Sequence, residues 1–245
     1  MSKPDIIRLA TFNIRHGAPA EKSVQKGNPE ALAEACASLD ADILALQEVD
    51  KGVARSGWKD LARLAAEASG MEYVFARSMW FRGGQYGNAL LVRGEIEDVE
   101  QLRLTGGRRH RLPFKIKGKQ PKLFREPRSA IVATAHVRDK KVSVAATHLA
   151  TETAVSSHQL QTVLGATMRR PGPRVLMGDF NRSTQLVARY PLPSGLMLVD
   201  SPPTFPALNP KKSIDHIIIN GLTLYSVETR RLDVSDHLAL IVDVV

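Results

Sequence analysis

The segment PRVLMGDFN, Pro173 to Asn181, sets a short apolar run against a polar end. Val175, Leu176 and Met177 are continuously apolar between a proline and a glycine, the pattern of a strand buried on both faces. Asp179 and Asn181 fall just past its C-terminal end, which is where sheet proteins place their ligand sites. Taken alone, Gly-Asp-Phe-Asn reads equally well as a turn, because Gly, Asp and Asn each satisfy turn backbone locally.

On either side of this segment strands and helices alternate. IIRLATFNI reads as a strand, Asn28 and Pro29 supply the cap and first turn of a helix through PEALAEACASL, and DILALQE returns as a strand. WKDLARLAAEASG carries apolar residues at helical spacing and stops at Gly70. YVFAR, NALLVR, SAIVATAHV and VSVAATHL read as strands, SHQLQTVLGATM as a helix, and SIDHIII, LTLYSV and LALIVDV as strands again. A weak internal symmetry results. In the first half a strand ends on Asn13, a helix follows, and the next strand ends on Glu48; in the second, His148 and Asp179 take those places. Two sheets packed face to face with helices outside would gather these ends on one rim, and layer rules allow that sandwich as readily as one doubly wound sheet.

Polar strand ends recur: Asn13 in TFNIRHG, Glu48 in LQEVD, His148 in THLAT, Asp179 and Asn181 in GDFN, and Asp215 in SIDHIII, with Asp236 and His237 opening the last strand in SDHLAL. Brought together, they form an oxygen-rich, thiolate-free set suited to Mg²⁺ or Mn²⁺ rather than structural zinc. Such ions take phosphate oxygens as ligands. A phosphate diester repels anionic nucleophiles, so its hydrolysis calls for a neutralising metal and a base that activates water.

Over 245 residues the composition is globular, with 43% hydrophobic and 24% charged residues, and no low-complexity stretch or linker divides it, so a single domain over 1–245 is expected. The N-terminus lacks the apolar core of a signal peptide and no stretch approaches a membrane span, which makes a cytoplasmic location the default expectation. Cys36, the single cysteine, lies among alanines and reads as a small buried hydrophobe. A net charge of +9 favours polyanionic partners, nucleic acid or anionic lipid. Much of that charge is concentrated from Thr105 to Arg128, where Arg108, Arg109, Arg111, Lys115 and further lysines face one acid, Glu126. Glycines and prolines break any helix there, so a long basic loop with room for a short ribbon is expected, either solvated or lying along a phosphate backbone.

In this order, TFNIRHG, LQEVD, YGNALL, EPRSA, THL, GDFN, SIDHI and SDH resemble the motifs of the endonuclease/exonuclease/phosphatase superfamily, from about Leu9 to Leu240. The resemblance implies a four-layered α/β sandwich, two packed mixed β-sheets flanked by helices, with the site on one rim. It implies Glu48 as the principal metal ligand, with Asn13 and Asp236 close to the same ion. Asp179 would orient or deprotonate the attacking water, Asn181 would hold a phosphate oxygen, and His148 would stabilise charge on phosphorus or the leaving oxygen. His237 would contact the phosphate as acid or base, with Asp215 fixing its tautomer; which of Asp179 and His237 is the base stays open.

Asn88 in YGNALL and Arg128 in EPRSA are further phosphate-contact candidates, set against a turn residue and an ion pair with Glu126. Arg15 and His16 stand where many nuclease relatives carry an acid, which speaks against a second metal position. His216 holds a place that is commonly aromatic in the family and is expected to pack; His136 is expected in a core or surface role. Trp80 and Phe81, beside Arg82 and two glycines, suit a substrate-facing loop.

The expected activity is metal-dependent phosphodiester hydrolysis, foremost as a nuclease on DNA or RNA, with Arg108, Arg109 and Arg111 of the basic loop on substrate. The alternative is a lipid or inositol-phosphate phosphodiesterase whose basic loop docks on an anionic membrane; the lack of a secretory signal and of an apolar hairpin weighs against it. A binding protein that has lost catalysis is disfavoured, since every core motif position is filled.

Overall fold

The computed structural model describes residues 5–21, 26–104, 109–110 and 124–245. Its strands are β1 (Ile7–Asn13), β2 (Ile43–Lys51), β3 (Glu72–Phe81), β4 (Gly84–Val92), β5 (Glu95–Leu104), β6 (Arg109–His110), β7 (Phe124–Arg125), β8 (Arg128–Val137), β9 (Lys140–His148), β10 (Arg174–Asp179), β11 (Met197–Leu198), β12 (Asp215–Asn220), β13 (Leu224–Arg230) and β14 (Ala239–Val244). The α-helices are α1 (Pro29–Ser38), α2 (Leu61–Ser69), α3 (Thr153–Met168) and α4 (Thr184–Ala188). One six-stranded sheet runs β13-β14-β1-β2-β4-β3 and the other β11-β12-β10-β9-β8-β5. The alternation read in the sequence thus resolves as two mixed sheets, not one doubly wound sheet.

Ile7, Leu9, Ile43 and Leu90 of the first sheet meet Ile131, Val144, Val175 and Ile217 of the second in a fully buried layer. Alternate residues of the same strands face outward: Phe12, Leu44 and Leu46 pack with Leu32 and Leu61 of α1 and α2, and Ala145 and Leu176 with Leu160 and Val163 of α3. This period-2 alternation between an inner and an outer apolar face is what makes a strand apolar throughout and produces four layers. In each half a parallel pair is joined through a helix, β1–α1–β2 and β9–α3–β10, so both pairs put their C-terminal ends on the same side as that helix begins.

Local signals place the helices. Asn28 accepts a hydrogen bond from the Ala31 N–H, and Asp60 does the same for Arg63, so α2 starts three residues later than its apolar spacing suggests. Gly70 ends α2 in the left-handed conformation. Cys36 is buried in α1, and burial pushes its thiol up to about 12. β2 does not end at Glu48: it runs on to Lys51 through an irregularity between Leu46 and Val49, and Glu48 sits in it with φ 59°. A bulge of this kind re-aims one side chain without ending the strand. The short ribbon expected in the basic stretch is present as β6 paired with β7.

Candidate active site

Three adjacent strands of the second sheet define the site's geometry. Asp179, the last residue of β10, lies in register with His148 at the end of β9 on one side and with Asp215 at the start of β12 on the other. Gly178 permits the approach: it has φ 154°, and a Cβ there would fall 1.9 Å from the Thr147 carbonyl oxygen. From the first sheet come Asn13 at the end of β1, Glu48 in the β2 bulge, and Asp236 and His237 in the turn before β14. Asn13 joins the two sheets, its Nδ2 donating to Glu48 Oε1 at 3.2 Å and to Asp179 Oδ2 at 3.0 Å. Ser235 ties the last turn to β1, donating to the Asn13 carbonyl at 2.5 Å and accepting from the His237 N–H at 3.1 Å.

His237 Nδ1 donates to Asp215 Oδ2 at 2.9 Å, and Thr204 Oγ1 donates to the same oxygen at 2.5 Å. Burial disfavours the imidazolium, but the charge and hydrogen bond of Asp215, with Asp179 and Asp236 further off, outweigh it and raise the ring to about 10. His237 therefore carries two N–H groups at neutral pH, with Nε2 4.0 Å from Asp179 Oδ2. Phe205 packs against the ring at a centroid distance of 4.8 Å. For Asp179, burial and then the charge of Asp215 raise the carboxyl above the usual carboxylate range, although His237, Asn13 and the Asn181 N–H oppose this.

His148 is the opposite kind of histidine. Burial, and then Arg128, push its pKa well below the ordinary value, so the ring is neutral. Arg128 Nη1 lies 3.0 Å from His148 Nδ1, and a guanidinium only donates, so Nδ1 accepts and the ring proton sits on Nε2. That N–H points toward Asp179 Oδ2 at 3.5 Å. Asn181 Nδ2 donates to the Leu149 carbonyl at 3.0 Å and lies 3.1 Å from His148 Nε2, which sets the two side chains next to each other. Asn181 has φ 52°, in the left-handed region that Asn tolerates better than most side chains, and its N–H binds Asp179 Oδ1 at 2.8 Å.

These groups meet in a cleft of about 750 Å³. Glu48, His148, Asp179, Asn181, Asp236 and His237 line it; Arg15, Arg128, Arg182, Lys211 and Lys212 add positive charge to its walls. Arg128 also makes the ion pair with Glu126, at 2.8 Å. Asn88 is buried outside the cleft lining, its Nδ2 committed to the carbonyl and hydroxyl of Ser129 at 2.8 and 3.1 Å. Arg108 and Arg111 lie outside the described residues, and only the backbone of Arg109 is described, in β6. His216 packs against Phe180, with its Nε2 2.7 Å from the Arg182 carbonyl oxygen, and His136 pairs with Glu97 at 2.7 Å.

Sequence reasoning passed over Thr204, Phe205, Ser235 and Arg182. Thr204 and Phe205 come from a proline-rich loop with no strand-end signal. Ser235 was visible inside SDH, and Arg182 directly after GDFN, but only the fold shows what each touches.

The donor set fits a divalent cation. Glu48 is raised above the usual range, mainly by burial, and among the described residues no Lys, Arg or His comes within ion-pair distance of it. Among the described residues Asp236 pairs with Arg15 alone, at 3.8 Å. Two carboxylates at a cleft, neither in a close ion pair, suit a hard cation bound through oxygen. One ligand atom each of Asp179, Asp215 and His237 also lie within 4.8 Å of one another, with His237 Nδ1 on Asp215.

Two mixed sheets flanked by helices, with a carboxylate- and histidine-lined cleft where strand ends meet, define the sandwich of phosphoester-cleaving enzymes. The sequence matches the model of the Endonuclease/Exonuclease/phosphatase family over residues 10–237, and the chain belongs to that family of metal-dependent phosphoesterases. Comparison with curated protein sequences returns no match. Among solved structures it is similar to an endonuclease/exonuclease/phosphatase family protein from Leptotrichia buccalis (18% identity, 98% of this chain and 99% of that one, TM-score 0.70). It is also similar to the human Nocturnin catalytic domain with bound sulfate (20%, 98% and 94%, 0.69) and to D. rerio TDP2 complexed with a single-strand DNA product (16%, 98% and 99%, 0.67). No helix among the described residues is long and apolar enough to cross a membrane.

Proposed function

We propose that the chain, read as one domain over its length, is a nuclease that hydrolyses phosphodiester bonds of DNA or RNA with Mg²⁺ or Mn²⁺. The observation that carries this is Asp179, buried between a neutral His148 and a protonated His237 at the floor of a cleft with basic walls. The likeness to a fold relative holding a single-strand DNA product supports a polynucleotide substrate.

Glu48 and Asp236 would hold the ion, with Asn13 orienting Glu48. When bound, the ion neutralises phosphate charge. Asp179 is the base: its raised pKa suits accepting a proton from water, whereas His237 already holds its protons. His237 contacts the phosphate as a cation and donor, and Asp215 with Thr204 keeps it protonated and oriented. His148 and Asn181, side by side at the cleft, take the oxygen on which charge builds up. Arg128 and the basic stretch with Arg108, Arg109 and Arg111 meet neighbouring phosphates.

The test is nicking of supercoiled plasmid with Mg²⁺ or Mn²⁺, against EDTA and an Asp179→Asn control. Metal-dependent nicking that the variant loses is expected. No cleavage of DNA or RNA by folded wild-type protein, with turnover of sphingomyelin or an inositol phosphate, overturns the nuclease reading.

A further inference from the structure

Outside the catalytic cleft, a groove of about 390 Å³ lies where the edge strands of the two sheets, β3 and β5, come together. Arg77, Gln85, Gln101 and Arg103 line it, with Ser129 of β8. No acidic side chain lines the groove, and among the described residues neither Arg77 nor Arg103 has a carboxylate partner. Beside it stands Trp80, the strand partner of Gln85, 66% exposed. The Arg77 guanidinium lies 4.4 Å from its ring centroid.

An exposed tryptophan alone means little, since single apolar side chains are common on surfaces. Here the indole carries the Arg77 guanidinium on its ring and stands beside a groove that Arg103 and two side-chain amides also line. β5 sharpens the picture: Glu95, Glu97, Asp98 and Glu100 occupy its first part, whereas Gln101 and Arg103 line the groove near its end. A polyanion would be repelled from one part of the strand and held at the other. The held part borders the chemistry, because Arg103 pairs with Ser129, whose neighbour Arg128 lines the catalytic cleft.

We propose that this groove holds an unpaired nucleotide of a single-stranded substrate, its base stacked on Trp80 and its phosphates met by Arg77 and Arg103. The Gln85 amide reaches the base edge; Gln101 Nε2 already donates to the Phe75 carbonyl at 3.2 Å, which leaves its oxygen to accept. A base within a duplex has both faces covered by its neighbours, so an exposed indole selects an unstacked one. This inference rests on the nuclease reading and narrows its substrate to single strands.

The test starts from a Trp58→Phe background, which leaves Trp80 as the sole tryptophan of two. Titration with oligothymidylate in EDTA is expected to quench its fluorescence without any cleavage. In the otherwise wild-type chain, Trp80→Ala and Arg103→Glu are each expected to raise KM for a single-stranded oligonucleotide about tenfold, the size of one lost stacking or phosphate contact. Turnover of bis(p-nitrophenyl) phosphate, too small to reach the groove, stays unchanged. Unaltered KM in both variants of an enzyme that cleaves nucleic acid overturns the inference and leaves the nuclease reading standing. Quenching by oligothymidylate in a protein that cleaves no nucleic acid upholds the groove and removes the nuclease reading. Quenching by phosphatidylserine vesicles but not by oligonucleotide reassigns the face to a membrane and overturns the inference.

Discussion

The rim and the middle of the sandwich are built from the same strands and are equally dry, yet burial acts on them in opposite directions. On β12, Asp215 and Ile217 are both fully buried, two residues apart. On β10 the same holds for Asp179 and Met177, at 2% and 0% exposure. Removing Ile217 and Met177 from water stabilises the fold. Removing Asp179 from water raises its pKa, a sign that the charged form is held at a cost. The apolar layer between the sheets keeps the rim groups in place although they contribute little stability of their own. Degree of burial therefore does not separate structural from functional residues in this molecule; the chemistry of what is buried does.

Substitutions at the two levels should divide cleanly. Asp179→Asn and His237→Ala are each expected to lower phosphodiester turnover at least about a hundredfold while unfolding stays cooperative; near-normal rates in both would dissolve the contrast. On β12, two residues from Asp215, Ile217→Ala should do the reverse, costing about 2–5 kcal/mol in a urea titration, as a cavity in a close-packed core does. A chain that kept its midpoint would mean the inter-sheet layer repacks freely.

His216 tests the boundary between the levels. Burial lowers its pKa, with the Phe180 ring beside it, while the Arg182 carbonyl at its Nε2 and then the charge of Asp215 oppose the shift. Because its folded pKa is below the unfolded value, the folded chain binds fewer protons than the unfolded one in the window beneath about pH 6.5. Its contribution is whole above that pH and is lost as pH falls. His216→Phe should flatten the acid slope of stability between pH 7.5 and 5, measured by denaturation midpoints; an unchanged slope would place the loss in other groups.

The smallest effect is expected far from the rim, at Arg8 and Asp243, which pair at 2.9 Å across β1 and β14. Arg8→Ala should cost up to about 1 kcal/mol near neutral pH. The Arg8 hydrogen bond holds the Asp243 carboxyl below its usual range, so this stability is present above the ordinary aspartate pKa and disappears as pH falls through the lowered one. A loss that persisted at pH 2 would not be electrostatic.

Much of this was legible because the strands that build the site are apolar up to a polar terminus, as in PRVLMGDFN and VSVAATHL. β5 escaped notice for the contrary reason. Its residues are mostly exposed and its acids cluster, so EIEDVEQLRL shows no apolar run, and only its pairing with β8 makes it a strand. The β2 bulge was equally hidden: LQEVD looks like a strand end, whereas pairing with β4 on both sides of Glu48 carries the strand past it. Thr204 and Ser235 acquire their partners through tertiary proximity, with Ser235 reaching a carbonyl 222 positions away in sequence, which no local pattern records.

The register of Asp179 with His148 and Asp215 makes the sheet a ruler. Neighbouring strands keep a spacing of about 4.8 Å whatever the loops between them do. The interval from histidine to acid to acid is thus graduated in strand widths, and the outer parts of the connection between β10 and β12 can lengthen or shorten without moving the marks. A scaffold of that kind can be refitted to new substrates by editing its margins alone.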